Sequence, residues 1–227
     1  MGLCLLLLSG LGARADSFYD SANYNGNAFT LVDGQEVGNE IFLTGSSFSL
    51  TNFTFEYRST SVSFSGSVGV DVRFYLNDGP TTNGFATPHS LFYDSGWFTG
   101  VTPATGGNNI NYDTSDLYGG AALNLTPGFV MPSDFTFTIT FTNLAGGNGV
   151  ELPLANPAAG QSGDYWLETA DGWELLTNSA PASFIANFSG TAVPEPPVLS
   201  LCVAGGALLI LGLARQRKLQ RRNVKGE

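Results

Sequence analysis

Residues Phe135–Thr142 read "FTFTITFT". Phe135, Phe137, Ile139 and Phe141 alternate one for one with Thr136, Thr138, Thr140 and Thr142. A period of two belongs to a strand and not to a helix. The segment therefore predicts a strand with one aromatic face and one hydroxyl face.

The same pattern recurs on either side. Val68, Val70, Val72, Phe74 and Leu76 alternate with Gly69, Asp71, Arg73 and Tyr75. Phe53, Phe55 and Tyr57 alternate with Asn52, Thr54 and Glu56, whereas Phe48 and Leu50 fall in the other phase. A bulge or bend near Thr51 is expected there. Phe184, Ala186 and Phe188 make a last strand. Turn chemistry separates the runs: Asn77-Asp78-Gly79-Pro80, Gly106-Gly107-Asn108-Asn109, Gly146-Gly147-Asn148-Gly149 and Asn156-Pro157. No convincing amphipathic helix and no fixed-period repeat appears. One-sided strands joined in this way predict an all-β domain, an antiparallel β-sandwich or jelly roll.

Composition agrees. The chain has 29 glycines and 11 prolines in 227 residues, which suits many turns without marking low complexity. Its 17 Phe, 8 Tyr and 3 Trp can fill a sizeable core. The two cysteines, Cys4 and Cys202, both lie in apolar terminal segments, so the central region has no thiol ligand and no disulfide.

Charge is divided unevenly. Between Asp16 and Val193 stand 17 acids and only two bases, Arg58 and Arg73, a net of −15. Residues 215–227 carry six bases and one acid, a net of +5. The acidic part would repel a polyanion, and no nucleic-acid partner is expected.

The two ends read as addresses. Leu3–Leu11 is a short apolar run, and Ala13-Arg14-Ala15 is a small-x-small cleavage pattern, so residues 1–15 predict a signal peptide. No Lys or Arg precedes that run, which leaves the charged n-region to a start upstream of Met1. At the other end, Val198–Ala214 is 17 residues without a charge, close to the lower limit for a membrane-spanning helix. Arg215, Arg217, Lys218, Arg221 and Arg222 follow directly. That basic cluster predicts a cytoplasmic tail and a translocated domain.

Val193-Pro194-Glu195-Pro196, the apolar span and the Arg-rich tail together resemble the sorting signal of PEP-CTERM proteins. The resemblance covers about the last 35 residues. It implies recognition of the Pro-Glu-Pro element by an exosortase, a membrane cysteine protease, after export by the Sec machinery of a Gram-negative bacterium. It also implies a single-pass inner-membrane intermediate, release to the cell surface or outside, and association with exopolysaccharide and biofilm. Pro194 and Pro196 fix φ and disfavour helix before them, which presents an extended segment to a protease. The segments "GVDVRFYLNDG", "LFYDSGWF" and "DYWLETADGWELLTN" resemble ectodomains of the same family, without a catalytic signature. The expected organisation is signal peptide 1–15, ectodomain 16–191, linker and sorting element 192–197, transmembrane helix 198–214 and basic tail 215–227.

Chemistry-bearing residues are sparse. His89 is the only histidine, no Gly-x-Ser-x-Gly elbow appears, and a zinc site with three His or Cys ligands is not available in the central region. His89 reads as a loop residue of no special role. Asn109, Asn111, Asp113 and Asp116 are oxygen ligands in one loop, where calcium would be the only candidate cofactor, though the spacing fits no calcium-loop template. Asn52, Asn124 and Asn187 open sequons that read as coincidental. Glu151, Asp164, Glu168, Asp171 and Glu174 gather in sequence with Trp166 and Trp173. Paired carboxylates serve glycoside hydrolysis, and tryptophan stacks on sugar rings. The plainer reading is a hairpin about Ala170-Asp171-Gly172 that closes the core. On that hairpin Leu175 shares the face of Trp173, which places Trp173 in the core. Tyr165 and Leu167 take the face opposite Trp166, which leaves Trp166 as the exposed ring and the candidate glycan contact. The function expected first is a non-enzymatic, exported surface or matrix protein. A carbohydrate-binding module comes second and a glycoside-cleaving enzyme third.

Overall fold

The computed structural model describes residues 16–21, 23–43, 48–59, 68–99, 101, 110–113, 129–156, 161–177 and 183–193. The chain divides into two units, Met1–Ala192 and Val193–Glu227, and the fold described here is that of the first. The described residues form strands, turns and loops, with no helix. No helix among them is long and apolar enough to cross a membrane, and the expected span 198–214 lies outside them.

Two large sheets hold most strands, and every pairing in them is antiparallel. The first sheet is eight-stranded and contains β1 (Asp16–Asp20), β2 (Tyr24–Thr30), β4 (Phe48–Ser59), β10 (Ile110–Asp113), β11 (Val130–Met131), β13 (Val150–Ala155), β16 (Ser183–Phe184) and β17 (Ala186–Ala192). The second is seven-stranded. Its path runs β15 (Gly172–Leu176), β14 (Gln161–Thr169), β3 (Glu36–Phe42), β12 (Asp134–Thr142), β5 (Gly69–Tyr75) and β8 (Leu91–Asp94), with β9 (Phe98–Thr99) beside β5. A small hairpin joins β6 (Thr81–Thr82) to β7 (Phe85–Ala86).

The apolar phase of each long strand meets one shared core. Phe135, Phe137, Ile139 and Phe141 of β12, Val70, Val72 and Phe74 of β5, and Phe53, Phe55 and Tyr57 of β4 are all buried in it. Phe188 of β17 sits at its centre. Its ring centroid lies 4.6 Å from Phe53 on the same sheet, and 5.4, 5.6 and 5.7 Å from Phe135, Phe137 and Phe74 on the other. The two sheets thus bring their aromatic faces together, an arrangement consistent with a β-sandwich. Each such ring contributes roughly 1.5–3 kcal/mol on burial.

The phase change near Thr51 has a structural cause. Ser189 pairs with Asn52 and Gly190 with Leu50, so the β17 register skips Thr51. The extra residue returns Leu50 to the core side beside Phe53.

The second sheet departs from the expectation of one-sided strands. Thr136, Thr138 and Thr140, on the hydroxyl face of β12, are as buried as the phenylalanines. Glu36 and Glu40 of β3 and Asp71 of β5 share that outer face and are buried too. Alternation in the sequence separates two faces. It does not separate a wet face from one covered by long neighbours, and Arg73, Tyr75 and Trp166 are such neighbours here.

Candidate functional site

The outer face of the second sheet is built in rows by strand register. One row runs Leu175, Trp166, Gly38, Thr138, Arg73 and Asp94. Across its middle, Thr138 Oγ1 donates to Glu36 Oε1 at 2.5 Å. Arg73 serves three carboxylates: Nη1 donates to Glu36 and Nη2 to Asp71, each at 2.8 Å, and Nε to Asp94 at 3.3 Å. Burial works against its charge, but Asp71 and Glu36 outweigh that and hold the guanidinium firmly protonated. Ser95 Oγ also donates to Asp71 Oδ1, at 3.0 Å. Burial nevertheless pushes the Asp71 carboxyl above its ordinary range.

Tyr75 extends this network toward the surface. Its hydroxyl is hydrogen-bonded to Glu36 and Arg73, and burial, then the Glu36 charge, push the phenol above its ordinary value. Glu168 is hydrogen-bonded to Glu36, and its carboxyl is raised by burial first and by Glu36 second. A hydrogen bond between two carboxyl groups needs a proton on one of them, which is the same tendency seen from the chemistry.

A second cluster lies at the other end of the face. Asn77 Nδ2 donates to Glu40 Oε1 at 3.1 Å and to Asp134 Oδ1, while Thr136 Oγ1 donates to Asn77 Oδ1 at 2.7 Å. Glu40 Oε2 is buried with no hydrogen-bond partner among the described residues. Burial, then the nearby Asp134 charge, push the Glu40 carboxyl up to about 7.

Between the β6–β7 hairpin and the β14–β15 hairpin the surface opens into a cleft of about 420 Å3. The β14–β15 hairpin contributes Trp173 and Glu168 to its lining, β5 contributes Tyr75, and β6 with the loop after β7 contributes Thr82, Pro88 and His89. Trp173 is half-buried, and its ring stands nearly edge-on to Tyr75, with centroids 5.7 Å apart and planes at 70°. The hairpin itself is tight. Thr169 pairs with Gly172, whose φ of 106° lies in the region only glycine adopts freely, and Thr169 Oγ1 donates to Gly172 O at 2.8 Å.

The two tryptophans are the reverse of the sequence expectation. Trp166 is the buried ring, at 0% exposure, and Trp173 is the accessible one. Register explains it. Trp166 pairs with Leu175 and Trp173 with Glu168, so both rings share the outer face. Trp166 stands on the inner strand of the hairpin opposite Gly38, which offers no side chain to displace it, whereas Trp173 is on the edge strand. Trp166 therefore offers no exposed ring to a glycan. Its Nε1 is buried without a partner among the described residues.

The carboxylates separate as well. Glu151 belongs to the first sheet, where its Oε2 pairs with Arg58 Nε at 2.6 Å. Glu174 is exposed and pairs with Leu167, on the face opposite Glu168. Glu168 and Asp171 remain at the cleft; Asp164 precedes it on β14, where its carbonyl accepts from Asn39 Nδ2 at 3.0 Å. His89 is largely exposed at the rim, its Nδ1 3.6 Å from Asp78 Oδ1. Ser90 Oγ donates to Asp78 Oδ2 at 2.7 Å, so the local Ser, His and Asp lack the wiring of a triad, in which the serine would face the histidine. Two sequon asparagines fall on strands, and Asn187 is tied to Ser17 and Ser189 by 2.8 Å bonds. The side chains of Asn111 and Asp113, and all of Asn109 and Asp116, lie outside the described residues. So do residues 1–15, expected as a signal peptide, Pro194, Glu195, Pro196 and the basic cluster Arg215, Arg217, Lys218, Arg221 and Arg222; Val193 is the last residue described. Among the described residues no group of three or more His, Cys, Asp or Glu is arranged to hold a metal ion.

Sequence reasoning passed over Tyr75, Thr82 and Pro88. For Tyr75 the signal was present, because it shares the polar phase of its strand with Asp71 and Arg73. For Thr82 and Pro88 it was not, because only the loop's path brings them to the hairpin. Comparison with protein-family models, curated proteins and solved structures found no match to this chain.

Proposed function

We propose that the chain is an exported surface or extracellular-matrix protein, processed by an exosortase and with no catalytic role of its own. The observation that carries this reading is the order of its ending. Val193-Pro194-Glu195-Pro196 comes first, then the uncharged span Val198–Ala214, then five basic residues between Arg215 and Arg222. On this reading residues 1–15 direct the chain to the Sec machinery. The span 198–214 holds it in the inner membrane with the basic tail in the cytoplasm. The exosortase then releases the ectodomain toward the surface and its exopolysaccharide. That ectodomain is a β-sandwich, of the plain or jelly-roll kind, with a core that needs no disulfide.

Mass spectrometry of both termini of the mature protein, made in a host with an exosortase, tests the scheme. The expected protein begins near Asp16 and lacks everything after the Pro-Glu-Pro element. Surface protein that retains Arg221 and Arg222 would leave only a membrane anchor. Replacing Pro194, Glu195 and Pro196 by alanine is expected to give an uncut, membrane-retained form.

One feature favours a second reading, a carbohydrate-binding ectodomain. It is the cleft in which an accessible tryptophan stands beside hydroxyl and carboxyl groups. The ring that supports this reading is Trp173.

A further inference from the structure

The cleft between the two hairpins combines three features that constrain what could occupy it. Its size, about 420 Å3, falls within the range of roughly 300–1,000 Å3 typical of small-ligand sites. Its aromatic corner is preformed: Tyr75 is fixed from behind by Glu36 and Arg73, and Trp173 stands across it at 70°. One ring can then lie beneath the apolar face of a pyranose while the other closes its edge. Around the corner, Thr82 and His89 can each donate or accept, and Glu168 and Asp171 add carboxyl groups. Sugar hydroxyls need such a mixture.

Charge narrows the class. No Lys or Arg is among the described lining residues. The nearest guanidinium, that of Arg73, is already committed to Glu36, Asp71 and Asp94. The region from Asp16 to Val193 carries a net −15. An anionic sugar would meet two carboxyl-bearing residues at the cleft and no lysine or arginine among the described lining residues.

We propose that this cleft binds a neutral saccharide, with Trp173 as the stacking platform and Thr82 contributed by the β6–β7 hairpin. The proposal rests on the carbohydrate-binding reading above and adds a site and a ligand class to it.

The test uses the full chain in a sugar-free zwitterionic detergent. Tryptophan fluorescence and retention on polysaccharide gels are followed with cellohexaose, laminarihexaose and mannohexaose. Polygalacturonate, alginate and choline are run beside them. Saturable binding of at least one neutral hexasaccharide is expected. Trp173→Ala and Thr82→Arg should each weaken it at least tenfold, Trp173→Phe should weaken it less, and Trp97→Ala should leave it unchanged. Trp97 is half exposed but lies outside the cleft. Thermal unfolding of each variant separates loss of binding from loss of fold, and Thr82→Arg approaches the cleft from the β6–β7 hairpin should Trp173→Ala unfold. Neutral-saccharide binding untouched by both cleft variants would overturn the site while leaving the carbohydrate-binding reading intact. Absence of saturable binding to every neutral probe would overturn both. Tighter binding of the uronates, or of choline, would overturn the ligand class.

Discussion

Phe137 and Thr138 are neighbours on one strand, and each is buried on its own side of it by opposite means. The inner side is filled by rings that need only shape and area. The outer side is filled by groups that need specific partners: Thr138 depends on Glu36, Glu36 on Arg73, and Arg73 on two more carboxylates. Burial by area tolerates imprecision, because dispersion and water exclusion are non-directional. Burial by pairing does not, since one missing partner leaves the rest desolvated and unmatched. The cleft opens at the margin of the second kind of surface, where Tyr75 and Glu168 continue the network into the open.

The largest effects should come from the ring side and from Trp166, a ring buried on the polar side. Phe188→Ala empties the centre of the core and Trp166→Ala the slot beside Gly38. Each is expected to cost about 3–5 kcal/mol in chemical denaturation. A loss under about 1 kcal/mol for Trp166→Ala would contradict its placement and return it to the surface.

Next in size is the hub of the polar side. Arg73→Met keeps the aliphatic stem but leaves Glu36 and Asp71, 3% and 1% exposed, without their cation. The expected cost is about 3 kcal/mol. Adding Glu36→Gln and Asp71→Asn should recover part of it, since neutral amides tolerate the site better than unpaired carboxylates. A single variant as stable as the wild type would mean that the network adds nothing to the fold.

Acidity probes the same side without a cavity. The Glu40 carboxyl lies at about 7 in the fold against an ordinary 4.5. The folded state therefore holds this proton longer than the unfolded chain. Stability from the group is present below the unfolded value and is lost as pH rises through about 7. The full difference converts to at most about 3 kcal/mol. Asp71 and Glu168 are raised in the same direction. Glu40→Gln should thus be more stable than the wild type at pH 8 and similar to it at pH 5, by urea midpoints. Identical pH profiles for the two proteins would remove Glu40 as the source.

These contrasts also mark what could be read in advance. The long strands, the Thr51 irregularity and the Asp-Gly hairpin were legible because period and turn chemistry are local, whereas the expected last strand through Phe184, Ala186 and Phe188 is split between β16, which pairs with β13, and β17, which pairs with β4. The fate of the hydroxyl face was not, because Thr136 and Thr138 look alike whether water or Glu36 and Asn77 meet them. The tryptophans were misassigned for a related reason. Within one hairpin, alternation correctly puts Leu175 with Trp173, but it cannot say that Trp166 joins that face or that the face is covered. Those facts depend on pairing with β3, and above all on Gly38, which is remote in sequence. The acidic cluster dispersed because Glu151 is close in sequence to the hairpin but belongs to the other sheet.

The smallest effect concerns Arg58, the other arginine among the described residues. Arg58 Nε donates to Glu151 at 2.6 Å and Nη1 to Tyr24 Oη at 2.9 Å, a geometry as good as that around Arg73. The two arginine side chains are almost equally exposed, at 29% and 28%. Their partners differ: Glu151 is 19% exposed, whereas Glu36 and Asp71 are almost wholly enclosed. Once Arg58 is removed, water can reach Glu151 and replace most of what was lost. Arg58→Met should therefore cost about 1 kcal/mol or less, and added salt should narrow its difference from the wild type. The Arg73→Met deficit should persist in salt, because counterions cannot enter where Asp71 lies. Thermal unfolding of both variants at low and at roughly 1 M ionic strength, where screening acts over about 3 Å, measures that difference. Equal costs with equal salt dependence would show that partner burial is not what distinguishes the two arginines.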